Sequence, residues 1–423
     1  MAHSRCSMGL QVQSAGLGDR IASGGPVHRL APRNSRKSQE ATLDFELTDR
    51  QRTLQQEAME FCARECPPEF EAELDRTGEF PADLYKKMAE SGLLGVPFPG
   101  EYGGSDGDIL DVVLVAEQLS SASNTAVNLF LVPVVFGGMM LYLCGSDSQK
   151  SELLPRLVKG ELKFSFALTE PEAGSDARSI KTSAVESDGA LVVSGTKYWT
   201  TGATVADYII VVCITSPGTD ASLGMSVLLV PGDAEGLEVT PLPKLAGNAF
   251  PSCEVVLDEV RVPMENVVGG PEYLNQGWSQ LLRTADLERI CVAASCVGGA
   301  ETILAECTEF AKDREQFGRP IIKFQAMQHA LAEMATRVDA MRWMTYHAAW
   351  LKASGRDCFK EICMAKLFCS ESLVELARKG MQVFGGRGYS KDYAMQRYLR
   401  ESYLSLYAGG TSEIQRSIIA RFL

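Results

Sequence analysis

The chain has 423 residues, 45% hydrophobic and 22% charged, which is enough for two or three domains with sizeable cores. Its formal charge of −13 at pH 7 argues against nucleic acid or an anionic membrane as the main partner. Twelve cysteines without a secretory signal read as reduced, buried thiols, and four unclustered histidines argue against a metal site.

Residues 1–42 hold six basic and two acidic residues, so the remainder carries −17. This leader is rich in Ser, Gly and Arg without an apolar period, and disorder is expected. A cytoplasmic protein is expected, with the mitochondrial matrix as the alternative if the leader is a transit peptide. Asp19, Glu40, Pro26 and Pro32 speak against a transit peptide.

From 43 to 163 the pattern is helical. Leu54, Ala58 and Phe61 share a face, and Pro81 opens a second helix. The uncharged run Ala126–Gly145 is about as long as a membrane span. Asn128, Pro133 and Gly137-Gly138 interrupt it, so it reads as a buried helix pair. A further helix is expected over Ser151–Val158, capped by the stretch from Gly145. Between 164 and 272 the signal turns to short β-rich runs, such as Tyr208–Ile214 and Met225–Val230, separated by Gly, Pro and Asp turns. A small antiparallel barrel or sandwich is expected there. From 273 to 423 helical periodicity returns in long runs over 277–312, 325–353 and 358–381, which build a bundle. The fold class is therefore α+β: a helical domain, a small β-barrel or sandwich domain and a helical bundle.

Chemistry concentrates in a few stretches. Phe166-Ala-Leu-Thr-Glu-Pro-Glu-Ala-Gly-Ser-Asp176 is a strand running into a polar turn, where Thr169, Ser175 and the backbone around Gly174 suit a flat polar ring or a phosphate. A second strand ends in Lys197-Tyr-Trp-Thr-Thr201, with Trp199 as a stacking plate and Thr201 as a hydroxyl. Taken singly these are an ordinary β-turn and a core Trp. Together, in this order, they resemble the flavin-binding middle domain of the acyl-CoA dehydrogenase family. Asp313-Arg-Glu-Gln-Phe-Gly-Arg-Pro320, Gln382-Val-Phe-Gly-Gly-Arg-Gly388 and Gly409-Gly-Thr-Ser-Glu-Ile-Gln-Arg416 extend the resemblance over about 43–423. Leu43-Asp-Phe-Glu-Leu-Thr48 looks like the start of that family's chains. No Gly-x-Gly-x-x-Gly stands between a strand and a helix, so a dinucleotide would be held by something other than a Rossmann turn.

The resemblance implies FAD as cofactor, with Phe166, Leu168, Thr169, Gly174, Ser175, Trp199 and Thr201 on its flavin side. It places Arg314 on the pyrophosphate across a subunit boundary, Phe317 against the cofactor and Gln325 at the adenosine end. Gln382, Gly385 and Gly386 would admit close backbone approach, and Thr411 and Glu413 match further cofactor contacts. Each has a plainer reading: Gly318 and Pro320 stop a helix, Gly385 and Gly386 are C-cap residues, and Thr411 is an N-cap.

One departure matters. Many members place a catalytic glutamate immediately before Gly-Thr, where this chain has Gly409. Glu288, followed by Arg289, matches the position used instead by isovaleryl-type and long-chain members. Any single helix glutamate is by default solvated, but the empty slot at 409 favours Glu288 as the base. By resemblance, Arg289 helps hold the CoA portion, Ser175 lies near the pantetheine, and the Gly409 N–H receives the thioester carbonyl.

The expected activity is α,β-desaturation of an acyl-CoA thioester, with Glu288 taking the α proton and hydride passing to flavin N5. Electrons would go to an electron-transferring flavoprotein. An enoyl-CoA reductase of the crotonobetainyl-CoA type is the runner-up, an oxidase comes next, and a catalytically silent CoA- or flavin-binding subunit is the reading from another class. A homo-oligomer, usually a tetramer in the family, is implied.

Overall fold

The computed structural model describes residues 46–423, except 217, 219 and 220. The expectations for the leader lie outside the described residues. Thr48–Leu423 form one compact unit.

Helices fill the first part: α1 (Asp49–Glu65), α2 (Pro68–Thr77), α3 (Ala82–Glu90), α4 (Ile109–Ala122), α5 (Asn124–Phe130), α6 (Met139–Cys144) and α7 (Asp147–Val158). Ala58 and Phe61 are buried and Leu54 packs against the same core, as the period of the first helix predicts. Helix α2 goes beyond the sequence reading; Pro68 at its first position and Glu69 and Glu71 in its first turn are its start signals. Helix α7 starts at Asp147, four residues earlier than expected. Ser146 is its N-cap, and Gln149 answers it in a capping box.

The apolar stretch is not a broken pair. It runs as one rod, because Leu131–Gly138 widens into a π-helix that links α5 to α6. Pro133 lacks the N–H an α-turn needs, and widened turns absorb it without ending the helix. Gly137 allows β1 to approach: a Cβ there would lie 2.2 Å from Phe164 Cβ. This rod and Gly277–Asp313 are long and apolar enough to span a bilayer, but both are mostly buried inside the protein.

The middle part carries β1 (Phe164–Ala167), β2 (Ser183–Ser187), β3 (Ala190–Thr201), β4 (Tyr208–Ile214), the single-turn α8 (Ala221–Gly224), β5 (Met225–Pro231), β6 (Leu237–Pro241) and β7 (Ser252–Pro263). They form one seven-stranded sheet in the order β1-β4-β2-β3-β7-β6, with β5 on β4. The sheet is mixed rather than wholly antiparallel, since β1 runs parallel to β4. A parallel partner needs a long crossover, and here the β2–β3 hairpin supplies it. Ile209, Val211 and Cys213 of β4 face the domain's own core, whereas Ile210 and Val212 face the helical core. Burial on both faces explains its unbroken apolar run.

The C-terminal part holds α9 (Gly277–Asp313), a hairpin of β8 (Glu315–Gln316) and β9 (Arg319–Pro320), α10 (Gln325–Ala353), α11 (Phe359–Phe384), α12 (Met395–Ser402) and α13 (Ser412–Ile419). Helix α9 is the axis: α4, α10 and α11 all pack on it. Gly298 lets α4 come close, since a Cβ there would strike Glu117 O at 2.1 Å. The eleven described cysteines are free and buried. Among the described residues no His, Cys, Asp and Glu cluster forms a metal site.

Candidate active site

The turn after β1 is shaped from beneath. Glu170 closes a tight bridge with Ala173, and its carboxylate accepts from Lys181 N (2.6 Å), Thr182 N (2.9 Å) and Lys197 Nζ (2.8 Å). Lys197 is fully buried on β3 and also donates to Leu168 O at 3.1 Å. Burial pushes the Glu170 carboxyl up, but these bonds outweigh it and hold the group below its ordinary value. This clamp fixes the backbone that carries Phe166, Leu168 and Thr169, and Thr169 O accepts from Tyr198 N at 2.8 Å.

Gly174 and Ser175 are exposed beyond the clamp, and a Cβ at Gly174 would meet nothing within 4 Å. Trp199 sits where the pairing of β3 and β7 slips between Lys197 and Thr200. It adopts φ +63° and leaves its indole half-exposed. Bulges of this kind re-aim a side chain, and here they present a stacking plate on the sheet surface. The Thr201 hydroxyl is engaged by Ser252 Oγ at 2.8 Å.

Glu288 lies on α9 next to the buried Leu287 and one turn before the buried Cys291 and Val292. It is half-buried, and among the described residues its carboxylate has no hydrogen bond or ion pair. Loss of water pushes it up to about 7, with Arg289 pulling the other way. Arg289 stacks on Phe359 at 5.4 Å and lies 4.0 Å from Asp286, and its Nε is buried without a partner.

Gly409 faces this turn of α9, and Gly410 follows it against α13. Both have positive φ, +67° and +90°, and a Cβ at Gly409 would lie 3.8 Å from Arg289 Cγ and from Val292 Cγ2. Position 409 and Glu288 therefore border the same space. Left-handed backbone suits glycine and strains any side chain placed there. Thr411 caps α13, accepting from Ile414 N at 3.2 Å, and Glu413 in its first turn is exposed. Two buried side chains that the sequence reading missed hold the pair. Lys366 and Gln415 donate to its carbonyls.

The other predicted residues gather at the far end of α9. Arg314 is its C-cap, and among the described residues its guanidinium has no carboxylate within 4 Å. Phe317 is 94% exposed at the hairpin tip, and Gln325 is exposed at the start of α10. Gln382, Gly385 and Gly386 are exposed at the end of α11, and a Cβ on either glycine would meet nothing within 4 Å. Stacking of Phe310 on Phe384 at 4.1 Å joins these two helix ends. At 1.5 Å per residue, Glu288 and Arg314 stand about 39 Å apart along the helix. The turn after β1 belongs to the Glu288 end, where Arg178 lies over the Trp278 ring at 5.0 Å.

The site thus combines a sheet-mounted turn beside an exposed indole, a half-buried carboxyl on a bundle helix and an arginine at that helix's far end, in a chain of helical, β and helical parts. The chain matches the acyl-CoA dehydrogenase N-terminal domain over residues 48–161, the middle domain over 165–260 and the C-terminal domain over 275–423. It belongs to the acyl-CoA dehydrogenase family, whose members are oxidoreductases acting on the CH–CH bond of acyl-CoA and whose cofactor is FAD. The expected fold class is likewise borne out. A probable acyl-CoA dehydrogenase of Bacillus subtilis, YngJ, is 41% identical over 90% of this chain and all of that relative. CarC, a subunit of the caffeyl-CoA reductase–Etf complex of Acetobacterium woodii, is 33% identical over 86% of this chain and 96% of its own. The structure of butyryl-CoA dehydrogenase from Megasphaera elsdenii superposes with TM-score 0.86 at 30% identity, covering 90% of this chain and 99% of that one.

Proposed function

We propose that this chain desaturates an acyl-CoA thioester between the α and β carbons, with Glu288 removing the α proton. The observation that carries this is the pairing of a half-buried carboxyl, raised to about 7 by burial, with a glycine where a second acid would otherwise project. A base poised near neutral pH is suited to a weakly acidic carbon. The N–H groups of Gly409, Gly410 and Thr411 donate to nothing among the described residues, which supports a role in receiving the thioester carbonyl as charge develops on it.

The residues present fit FAD. Trp199 offers a bare aromatic face, Gly174, Gly385 and Gly386 leave open backbone, and Arg314 has a guanidinium free for phosphate oxygens. When bound, FAD supplies the electron sink that accepts the β hydride. The span between Glu288 and Arg314 exceeds one extended dinucleotide, which supports a cofactor shared between two copies of the chain, and so at least a homodimer, with a homotetramer as the family's usual form. An electron-transferring flavoprotein is the proposed electron partner, and the likeness to a subunit of a reductase–Etf complex supports it.

That likeness also favours a second reading, reduction of an enoyl-CoA. Anaerobic stopped-flow measurement separates the two. Bleaching of the flavin by a saturated ester supports desaturation. Rapid reoxidation of reduced flavin by an unsaturated ester, with no bleaching by the saturated one, would establish the reductase instead. In either direction Glu288→Gln is expected to keep flavin and CoA-ester binding while losing about 10²–10⁴ in turnover.

A further inference from the structure

The carbonyls of the Gly409–Gly410 turn are both claimed from inside the protein. Gly409 O accepts from Gln415 Nε2 at 3.0 Å, and Gly410 O accepts from Gln415 Nε2 at 3.1 Å and from Lys366 Nζ at 2.7 Å. Gln415 and Lys366 are fully buried. Lys366 also approaches Leu406 O at 3.5 Å, and among the described residues no carboxylate comes within 4 Å of its ammonium. The molecule thus buries a cation whose partners are all backbone oxygens of the 406–410 segment.

Such an arrangement is expensive, since a buried charge lacking a counter-ion loses its hydration without full return. A methionine would fill the same length of α11, and Gln415 would still serve Gly410 O. Burial draws the ammonium down to about 8, so it remains largely charged at neutral pH. What the charge does follows from peptide geometry. In a trans peptide the N–H points opposite to the C=O, so carbonyls held by Lys366 and Gln415 turn the N–H groups of Gly410 and Thr411 away from them. A cation on a carbonyl also polarises that peptide and makes its N–H a stronger donor. The missing Cβ of Gly409 shows which way the turn faces: toward Arg289 and Val292, beside Glu288.

We propose that Lys366 is a positioning residue of the active site, which holds and polarises the Gly409–Gly410 turn so that its N–H groups stabilise negative charge on the bound thioester oxygen. This rests on the desaturase or reductase reading above. Both directions pass through the same charge build-up, so it does not depend on which one operates.

The test uses the flavin-loaded enzyme and acetoacetyl-CoA, a thioester whose own enolisation is read by absorbance titration. Wild type is expected to lower the pKa of the bound ester well below its value in solution. Lys366→Gln, which keeps a donor but no charge, is expected to raise it again by about one unit, a tenfold loss of acidity. Lys366→Met is expected to raise it further. Flavin content and melting temperature of each variant are measured alongside, and Lys366→Gln carries the test if Lys366→Met does not fold. An acidity in Lys366→Gln equal to wild type overturns the role of Lys366 alone. Loss of flavin in step with acidity overturns it too, by assigning Lys366 to cofactor retention. Failure of wild type itself to acidify the ester would remove the functional reading beneath it.

Discussion

The two ends of helix α9 carry residues predicted with equal force, yet they are built in opposite ways. At the Glu288 end the chain furnishes its own supports: buried lysine and glutamine beneath the turn, Arg289 stacked on Phe359, apolar neighbours around the carboxyl. At the Arg314 end little is braced, with Phe317 in solvent, two glycines open and, among the described residues, no carboxylate within 4 Å of the guanidinium. Chemistry needs groups that stay put, and one chain provides that only at the first end. The second is left open, as the proposed sharing of a cofactor between two copies would require.

Mixing subunits tests this contrast most severely. Glu288→Gln and Arg314→Ala chains, each crippled alone, are expected to regain up to half of wild-type activity per mixed dimer when co-assembled, because one of its two shared sites has both native residues. No recovery would mean that both ends serve the same chain. Next in size is Glu288→Gln alone, with its loss of about 10²–10⁴ in turnover and unchanged flavin absorbance. Arg314→Ala should weaken flavin retention about 10- to 100-fold, the worth of a charge-assisted phosphate contact, with the melting curve of the apoprotein unmoved. Smaller still, Gly409→Ala is expected to cost about 1 kcal/mol by denaturant melt, since alanine is strained at φ +67° while its Cβ would make only ordinary contacts.

The pH profile gives the gentlest probe of the first end. A base must be ionised, so desaturation should rise as pH passes through about 7. Stability runs the other way. The folded carboxyl holds its proton more tightly than the unfolded one, so Glu288 favours the fold most at low pH, and that contribution is lost as pH climbs from about 4.5 to 7. In Glu288→Gln both slopes should flatten.

The helices were largely legible because periodicity and caps are local. Gln325–Ala353 falls where the pattern put it, and Gly385 ends α11 as a C-cap glycine should. What escaped was non-local or disguised. The parallel pairing of Phe164 with Tyr208 joins strands that no adjacent turn connects. Pro133 reads as a breaker in any window, and only the π-turn around it shows otherwise. Lys366 is the clearest case. A lysine in a helix is ordinarily solvated, and nothing in the letters Met364-Ala-Lys-Leu-Phe signals a buried cation. Glu288 was legible only because Gly409 made its absence elsewhere conspicuous.

The eleven sheltered thiols have a practical consequence. Burial drives their pKa values up, Cys62, Cys66 and Cys213 to about 12, so hardly any thiolate exists in the native state. An alkylating reagent would therefore find the intact protein inert over these positions and the opened chain abundantly reactive. Labelling rate becomes a clock for local breathing, readable peptide by peptide along the helices that frame the catalytic end.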